Sequence, residues 1–313
     1  MRVGFIGLGN LGYRLANNLV DYNIETFIYD LNKDIGKELE EKGAVWINSP
    51  EKVADCSDIC ITCLPSPHAV SSVLEGRNGL LNGLGPKKLW IEMSTTDSQE
   101  IIRLGKLAED KGAMVLEAPV SGGCHRASSG NISILVGGSR DAFDFAFPVL
   151  KIIGQKIIHV GEIGKASVLK VVTNFLASTH LVALGEALMV CKKSGLDLER
   201  AFEGIKASSG NSFVHETESQ VILNGSYNIN FTMDLVKKDM NLFDQLSKKL
   251  NTELEISPFV LNIFKEAEKK FGSRAWSSMV VKRLEEKYNI NFRALGFPEE
   301  LVDNEPEEKG YEI

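Results

Sequence analysis

Two patterns divide the chain, and the change from one to the other limits its fold more than any single residue. Up to about residue 163, short apolar runs alternate with amphipathic stretches. "RVGFIG" precedes "NLGYRLANNLVDYN", "ETFIYD" precedes "NKDIGKELEEKGA", "DICITCLP" precedes "SPHAVSSVLEG", and "KLWIEMS" precedes "SQEIIRLGKLAEDKG". "MVLEAPVSGG" follows, and then "ISILVGG" and "QKIIHVG" on either side of "RDAFDFAFPVLKIIG". Strands alternating with helices of this length form βαβ units, hence a doubly wound, mostly parallel sheet with helices on both faces. From Gly164 the period is helical: near 165–193, 197–209, 211–224, 231–250, 257–271 and 275–288. The expected organisation is an α/β domain over 1–163 and an all-helical domain over 164–295, entered through one long helix. An acidic, Pro-interrupted tail over 296–313 is expected to be extended, either solvated or laid on a neighbouring subunit.

At 313 residues the chain has room for two cores. Its formal net charge of -7 has the wrong sign for neutralising phosphates, so neither nucleic acid nor an anionic membrane is expected as a partner. The apolar start "MRVGFIGLGNLG" is short, glycine-rich and without a small-residue cleavage site, which fits a buried strand better than a signal peptide. The helix over 165–193 is long enough to span a bilayer, but Lys170, His180 and Glu186 interrupt it. A cytoplasmic location is expected. Five cysteines without a secretory signal fit a reducing compartment. Cys60 and Cys63 form a CxxC inside an apolar strand with no second pair, so buried thiols rather than a metal site are expected.

"VGFIGLGNLG" places Gly7-x-Gly9-x-x-Gly12 directly after a strand and at the start of a helix. In that setting the glycines permit a tight turn, close approach of a pyrophosphate to the backbone, and helix–strand packing. The segment Gly7, Leu8, Gly9, Asn10, Leu11 and Gly12 is therefore the candidate dinucleotide loop of a Rossmann domain. The confirming acid belongs at the end of the second strand, and "FIYD" supplies Asp30 there. A carboxylate accepts from both ribose hydroxyls and repels a 2′-phosphate, which favours NAD over NADP. FAD shares the fingerprint, so this loop alone does not choose a nicotinamide.

Three further segments carry chemistry. Ser121-Gly122-Gly123 follows a strand's carboxyl end, where open α/β sheets bind ligands, and a hydroxyl with exposed amides can cradle a carboxylate or serve as an ordinary turn. Lys170 and Asn174 lie one turn apart on the long helix. Apolar neighbours around Lys170 would lower its pKa towards a range useful for proton transfer, unless the lysine snorkels to water. Phe231, Lys238 and Asp239 fall in a later helical stretch that could equally be a solvated face. Ser94, Thr95 and Thr96 follow a strand and could reach a ligand or cap the next helix.

Taken in order, "GFIGLGNLG", "CLP" with "MST", "APVSGG", "GxxGKASVLKVVTN" and "FTMDLVKKD" resemble the β-hydroxyacid dehydrogenase family over roughly residues 1–290. That family contains the 3-hydroxyisobutyrate and tartronate semialdehyde enzymes. The resemblance implies hydride exchange between NAD and a small 3-hydroxyacid or its semialdehyde. It implies Lys170 as acid/base, Asn174 orienting substrate, and Ser121, Gly122 and Gly123 holding the substrate's acid group. Thr95 would lie by the nicotinamide, Leu64 and Pro65 would line the cofactor cleft, and Lys238 would close over the cofactor. A homodimer or homotetramer is implied as well.

Several positions depart from the family pattern. His125 and Arg126 stand where small residues are usual; they would recognise a second substrate anion, such as a sulfonate or phosphate, or else Arg126 would face solvent or the cofactor phosphates. Leu11, Ala166, Thr173, Glu92 and Glu117 replace other common residues without removing a group the chemistry needs. A reductase of a sulfonated or phosphorylated aldehyde, and a catalytically silent NAD-binding module, are the alternatives. Silent relatives tend to lose the lysine that this chain keeps.

Overall fold

A computed structural model describes all of residues 1–313. The chain forms two compact units, one of Met1–Lys170 with Asp303–Ile313 and one of Val171–Val302.

The first unit is built on strands β1 (Arg2–Ile6), β2 (Glu25–Tyr29), β3 (Val45–Trp46), β4 (Ile59–Thr62), β5 (Leu89–Glu92), β6 (Met114–Glu117), β7 (Val120–Ser121), β8 (Ser133–Gly138), β9 (Lys156–Gly161) and β10 (Tyr311–Glu312). Its sheet runs β10-β9-β8-β6-β5-β4-β1-β2-β3, with β7 paired to β8. All pairings are parallel except β6–β8 and β7–β8. The helices are α1 (Gly12–Asp21), α2 (Lys37–Glu41), α3 (Pro50–Cys56), α4 (Pro67–Glu75), α5 (Ser98–Glu109), α6 (Gly123–Ser128), α7 (Arg140–Ile153) and the start of α8 (Lys165–Lys193).

Local chemistry accounts for these elements. β4 and β5 are buried at every position, which suits central strands covered on both faces. α1 turns Leu15, Ala16, Leu19 and Val20 inward, and these join Phe5, Ile28, Phe143 and Leu150 in one core. α3 and α4 open on Ser-Pro pairs, where Ser49 and Ser66 accept from the amides of Lys52 and Ala69 at 3.3 and 3.2 Å.

The details differ from expectation in four places. "MVLEAPVSGG" is not one strand, because Pro119 has no N–H for the ladder. Val120–Ser121 turns instead to pair antiparallel with β8, Ser121 opposite Ser133. "NKDIGKELEEKGA" splits into a 3-10 turn at Lys33–Gly36 and the short α2. β3 is a two-residue edge strand too short to show in the sequence. The tail is anchored as well as exposed: Asp303–Ile313 belongs to the first unit and adds β10 beside β9, with most of its side chains open to solvent.

The second unit contains α8 from Val171 onward, α9 (Leu198–Lys206), α10 (Phe213–Asn224), α11 (Met233–Lys249), α12 (Ile256–Phe271) and α13 (Lys282–Tyr288). The contact boundary therefore falls inside α8 rather than at its start. By length and composition α8 could cross a bilayer. Its apolarity has a local explanation, because Leu181, Val182, Leu184, Leu188 and Met189 belong to the core of the second unit. The helix expected over 275–288 is shorter, since Ser277–Val280 is a 3-10 turn. Phe231 precedes α11 instead of lying within it. A buried polar cluster ties the chain after α13 to the core of the unit: Glu285 accepts from Tyr227 Oη, from Phe292 N at 2.6 Å and from Arg293 Nη1 at 2.8 Å.

Candidate active site

The glycine loop is built for a ligand that approaches the backbone. Gly7 has φ +96°, and a Cβ there would stand 2.3 Å from the Cys63 carbonyl oxygen. A Cβ on Gly12 would stand 2.0 Å from the Gly7 carbonyl oxygen. At Gly9, by contrast, a Cβ would meet nothing within 4 Å. The outer glycines thus close the turn while the middle one faces open space. α1 begins here without a side-chain cap, so its amides and dipole are directed at that space.

Asp30 follows β2, as expected for a ribose-binding acid. Its Oδ2 accepts from Leu8 N at 2.8 Å and its Oδ1 from Asn32 N at 2.9 Å, so the same carboxylate braces the glycine loop. Asn10 is exposed and Leu11 half-buried at the loop's rim, and Leu8 is buried beneath it.

Leu64 and Pro65 leave β4 half-buried and exposed respectively. Their position is set by a buried network that residue types alone do not announce. Trp90 Nε1 donates to Thr62 Oγ1 at 2.9 Å, Thr62 donates to Glu92 Oε2 at 2.5 Å, and Ser94 N donates to Glu92 Oε1 at 2.6 Å. Leu64 N in turn donates to Ser94 Oγ at 2.7 Å. Ser94 is thus a brace for the Leu64 loop, and Thr95 is half-buried beside it. Asp97 caps α5, accepting from Gln99 N and Glu100 N at 2.9 and 3.1 Å, so the hydroxyls of this stretch are not needed there.

Ser121 ends β7, and Gly122 and Gly123 follow with φ +134° and +85°. Two consecutive positive φ values favour glycine at both positions, and α6 starts directly from this turn. Arg126 does not face solvent freely: its stem packs over Gly122 and its guanidinium pairs with Glu305 of the tail. The His125 ring lies against Gly123. Burial pulls the His125 pKa down, with Asp303 opposing the shift.

α8 is fastened to the same sheet at its first turn. Glu117, at the end of β6, accepts from Ala166 N at 2.8 Å, from Ser167 N at 3.0 Å and from Ser167 Oγ. Burial raises the Glu117 pKa while these donors oppose the rise. One turn further on, Lys170 is only 8% exposed, so the snorkelling alternative does not describe it. Asn174, in the second unit, donates from Nδ2 to Asp239 Oδ2 at 2.5 Å. Lys238 pairs with the same Asp239 at 3.0 Å. Asp239 is the residue that sequence reasoning named without a role; its spacing from Asn174 in sequence gave no signal.

The cysteines are free thiols, and burial pushes Cys60 up to about 12, which leaves it unreactive. No group of three or more His, Cys, Asp or Glu side chains is arranged to hold a metal.

A Rossmann-type domain with an uncapped glycine turn, an acid at the end of its second strand and a helical second domain defines a nicotinamide-dinucleotide oxidoreductase. Residues 2–161 match the model of the NAD-binding domain of 6-phosphogluconate dehydrogenase, and residues 164–284 that of the NAD-binding of NADP-dependent 3-hydroxyisobutyrate dehydrogenase. The chain is 32% identical to 2-(hydroxymethyl)glutarate dehydrogenase of Eubacterium barkeri, over 93% of this chain and 97% of that one. It is 32% identical to the mitochondrial 3-hydroxyisobutyrate dehydrogenase of Mus musculus, over 88% and 85%. A solved 3-hydroxyisobutyrate dehydrogenase from Salmonella typhimurium superposes with TM-score 0.83 at 26% identity, covering 90% of this chain and 99% of that one. The chain belongs to the β-hydroxyacid dehydrogenase family.

Proposed function

We propose that this protein transfers a hydride between NAD and a small 3-hydroxyacid of the 3-hydroxyisobutyrate kind, or its semialdehyde. The observation that carries this reading is the burial of Lys170 on a helix whose first turn is tied by Glu117 to the sheet that also presents Ser121 and its two glycines.

Asp30 accepts from the ribose hydroxyls, and its negative charge is the reason for preferring NAD to NADP. The first turn of α1 and the open backbone at Gly9 receive the pyrophosphate. When bound, the nicotinamide supplies the hydride acceptor or donor. Ser121 Oγ and the amides of Gly122 and Gly123 hold the substrate carboxylate. Lys170 Nζ takes the hydroxyl proton during oxidation and returns it during reduction, and its charge steadies a developing alkoxide. Asn174, oriented by Asp239, fixes the hydroxyl beside the lysine.

Arg126 pairs within the chain, which supports the mono-anionic substrate over a sulfonated or phosphorylated one. A silent module would have no use for a buried lysine. Free cysteines support a reducing, cytoplasmic setting. Exposed Val190, Leu250, Ile256 and Phe259 on the helical unit support a homo-oligomer.

The deciding experiment is NADH and NADPH production over a panel of 3-hydroxyacids, wild type against Lys170→Ala. Turnover with NAD that disappears in the variant is expected; turnover that survives the change would remove Lys170 from the mechanism, and none with any substrate would favour the silent module.

A further inference from the structure

The tail is attached to the helix that follows the Ser121-Gly122-Gly123 turn, and its attachment is specific. Its end is anchored by main chain: Gly310 N donates to Lys151 O at 3.1 Å, Tyr311 N to Gln155 O at 2.8 Å and Ile313 N to Ile157 O at 3.0 Å. Gly310 is buried, and a Cβ there would stand 2.1 Å from the Gly154 carbonyl oxygen, so only glycine permits so close an approach. Arg140 grips Glu312 through two bonds of 2.6 and 2.9 Å.

Upstream of that anchor the tail crosses α6, the helix that continues from the Ser121-Gly122-Gly123 turn. Asp303 accepts from Ser129 Oγ and from Asn131 Nδ2, the latter at 2.8 Å. Glu305 accepts from Asn131 Nδ2 through its carbonyl at 3.3 Å and pairs with Arg126 through its carboxylate. A Cβ on Gly122 would stand 3.2 Å from Arg126 Cδ, so the stem of the arginine that Glu305 holds packs against the Ser121-Gly122-Gly123 turn. The matched family model ends at residue 284, well before this tail.

From this juxtaposition we propose that Glu305 is a specificity-determining residue: its carboxylate occupies Arg126 in place of a second carboxylate on the substrate. The inference rests on the hydroxyacid reading above. Tethering supports it, because a carboxylate held on an anchored segment reaches its partner at a high effective concentration that a free dianion has to exceed. An arginine released from Glu305 presents a planar fork suited to a carboxylate. With Glu305 in place the loop selects substrates bearing one carboxylate; without it the loop gains a second anion subsite.

The test is calorimetric titration of the full-length protein, saturated with NAD, using two unreactive probes: isobutyrate with one carboxylate and 2-methylglutarate with two. Reading binding rather than turnover separates the inference from the activity. Glu305→Gln is expected to tighten 2-methylglutarate about tenfold, as one recovered charge-assisted contact would, and to leave isobutyrate within about twofold. The double variant Arg126→Ala with Glu305→Gln is expected to lose that gain. Unchanged preference in Glu305→Gln, or a gain that persists without Arg126, overturns the proposal alone. Failure of isobutyrate to bind wild type or any variant overturns the hydroxyacid reading and the proposal with it.

Discussion

Asp30 braces Leu8 with one oxygen and Asn32 with the other, so its carboxylate serves loop geometry besides the ribose recognition proposed for it. Replacing it with serine shortens the brace and removes the charge that disfavours a 2′-phosphate. Asp30→Ser should therefore raise the KM for NAD and narrow the NAD-to-NADP preference by roughly tenfold, about 1.4 kcal/mol of discrimination, measured as kcat/KM with each cofactor. Lys170 carries the other residue-scale prediction. Lys170→Ala should lower kcat by about 10²–10⁴, the usual contribution of a positioned acid/base, while the circular dichroism of the folded protein stays that of wild type. Both residues were legible in the sequence, because a strand-end acid and a lysine in an apolar helix are conspicuous against their surroundings. Asp239 was not, since nothing in a charged helical stretch tells which carboxylate faces inward. The supporting roles of Glu92 and Glu117 were also hidden, because each depends on partners from a different element.

At the scale of elements, the junction of β6 with α8 sets where Lys170 stands. Glu117 satisfies two backbone donors of the first turn of α8, and removing it leaves them buried and unpaired. Glu117→Ala is expected to lower stability by about 2–4 kcal/mol, at roughly 1–2 kcal/mol per orphaned donor, read as a shift in the urea midpoint. Activity should fall as well, because the lysine's helix loses its anchor. The glycine turn makes a complementary prediction. Gly9→Val adds a side chain to open space, so Tm should stay within a few degrees while NAD affinity drops, measured by fluorescence titration. Gly12→Ala instead drives a methyl into the Gly7 carbonyl and should unfold the first unit at much lower denaturant. The alternation of strands and helices was plain from periodicity, as was the long α8. The break between β6 and β7 turned on one missing N–H at Pro119, and β3 and β10 are too short for any period to register.

For the molecule as a whole, buried charge sets how stability depends on pH. Glu218 on α10 has an Oε2 beyond the reach of solvent and without a hydrogen-bond partner, and burial pushes its carboxyl up from 4.5 to about 8. Its folded pKa lies above its unfolded one, so the folded state holds the extra proton between those values. The stabilisation it gives is complete below about 4.5 and is lost as pH rises through about 8. Denaturant midpoints should therefore fall between pH 5 and pH 9, and Glu218→Gln should flatten that fall; a slope unchanged in the variant would assign it to other groups. By itself the sequence determined the α/β-then-helical order, the glycine turn followed by a strand-end acid at Asp30, the Ser121-Gly122-Gly123 turn and the lysine of α8. All of these rest on short-range spacing, because period, turn and motif are properties of neighbouring residues. Only the tertiary structure decided that Lys170 is buried, that Glu117 holds its helix, and that the tail returns to pair Glu305 with Arg126. Those depend on contacts across 49 to 179 positions of sequence, which no local pattern encodes.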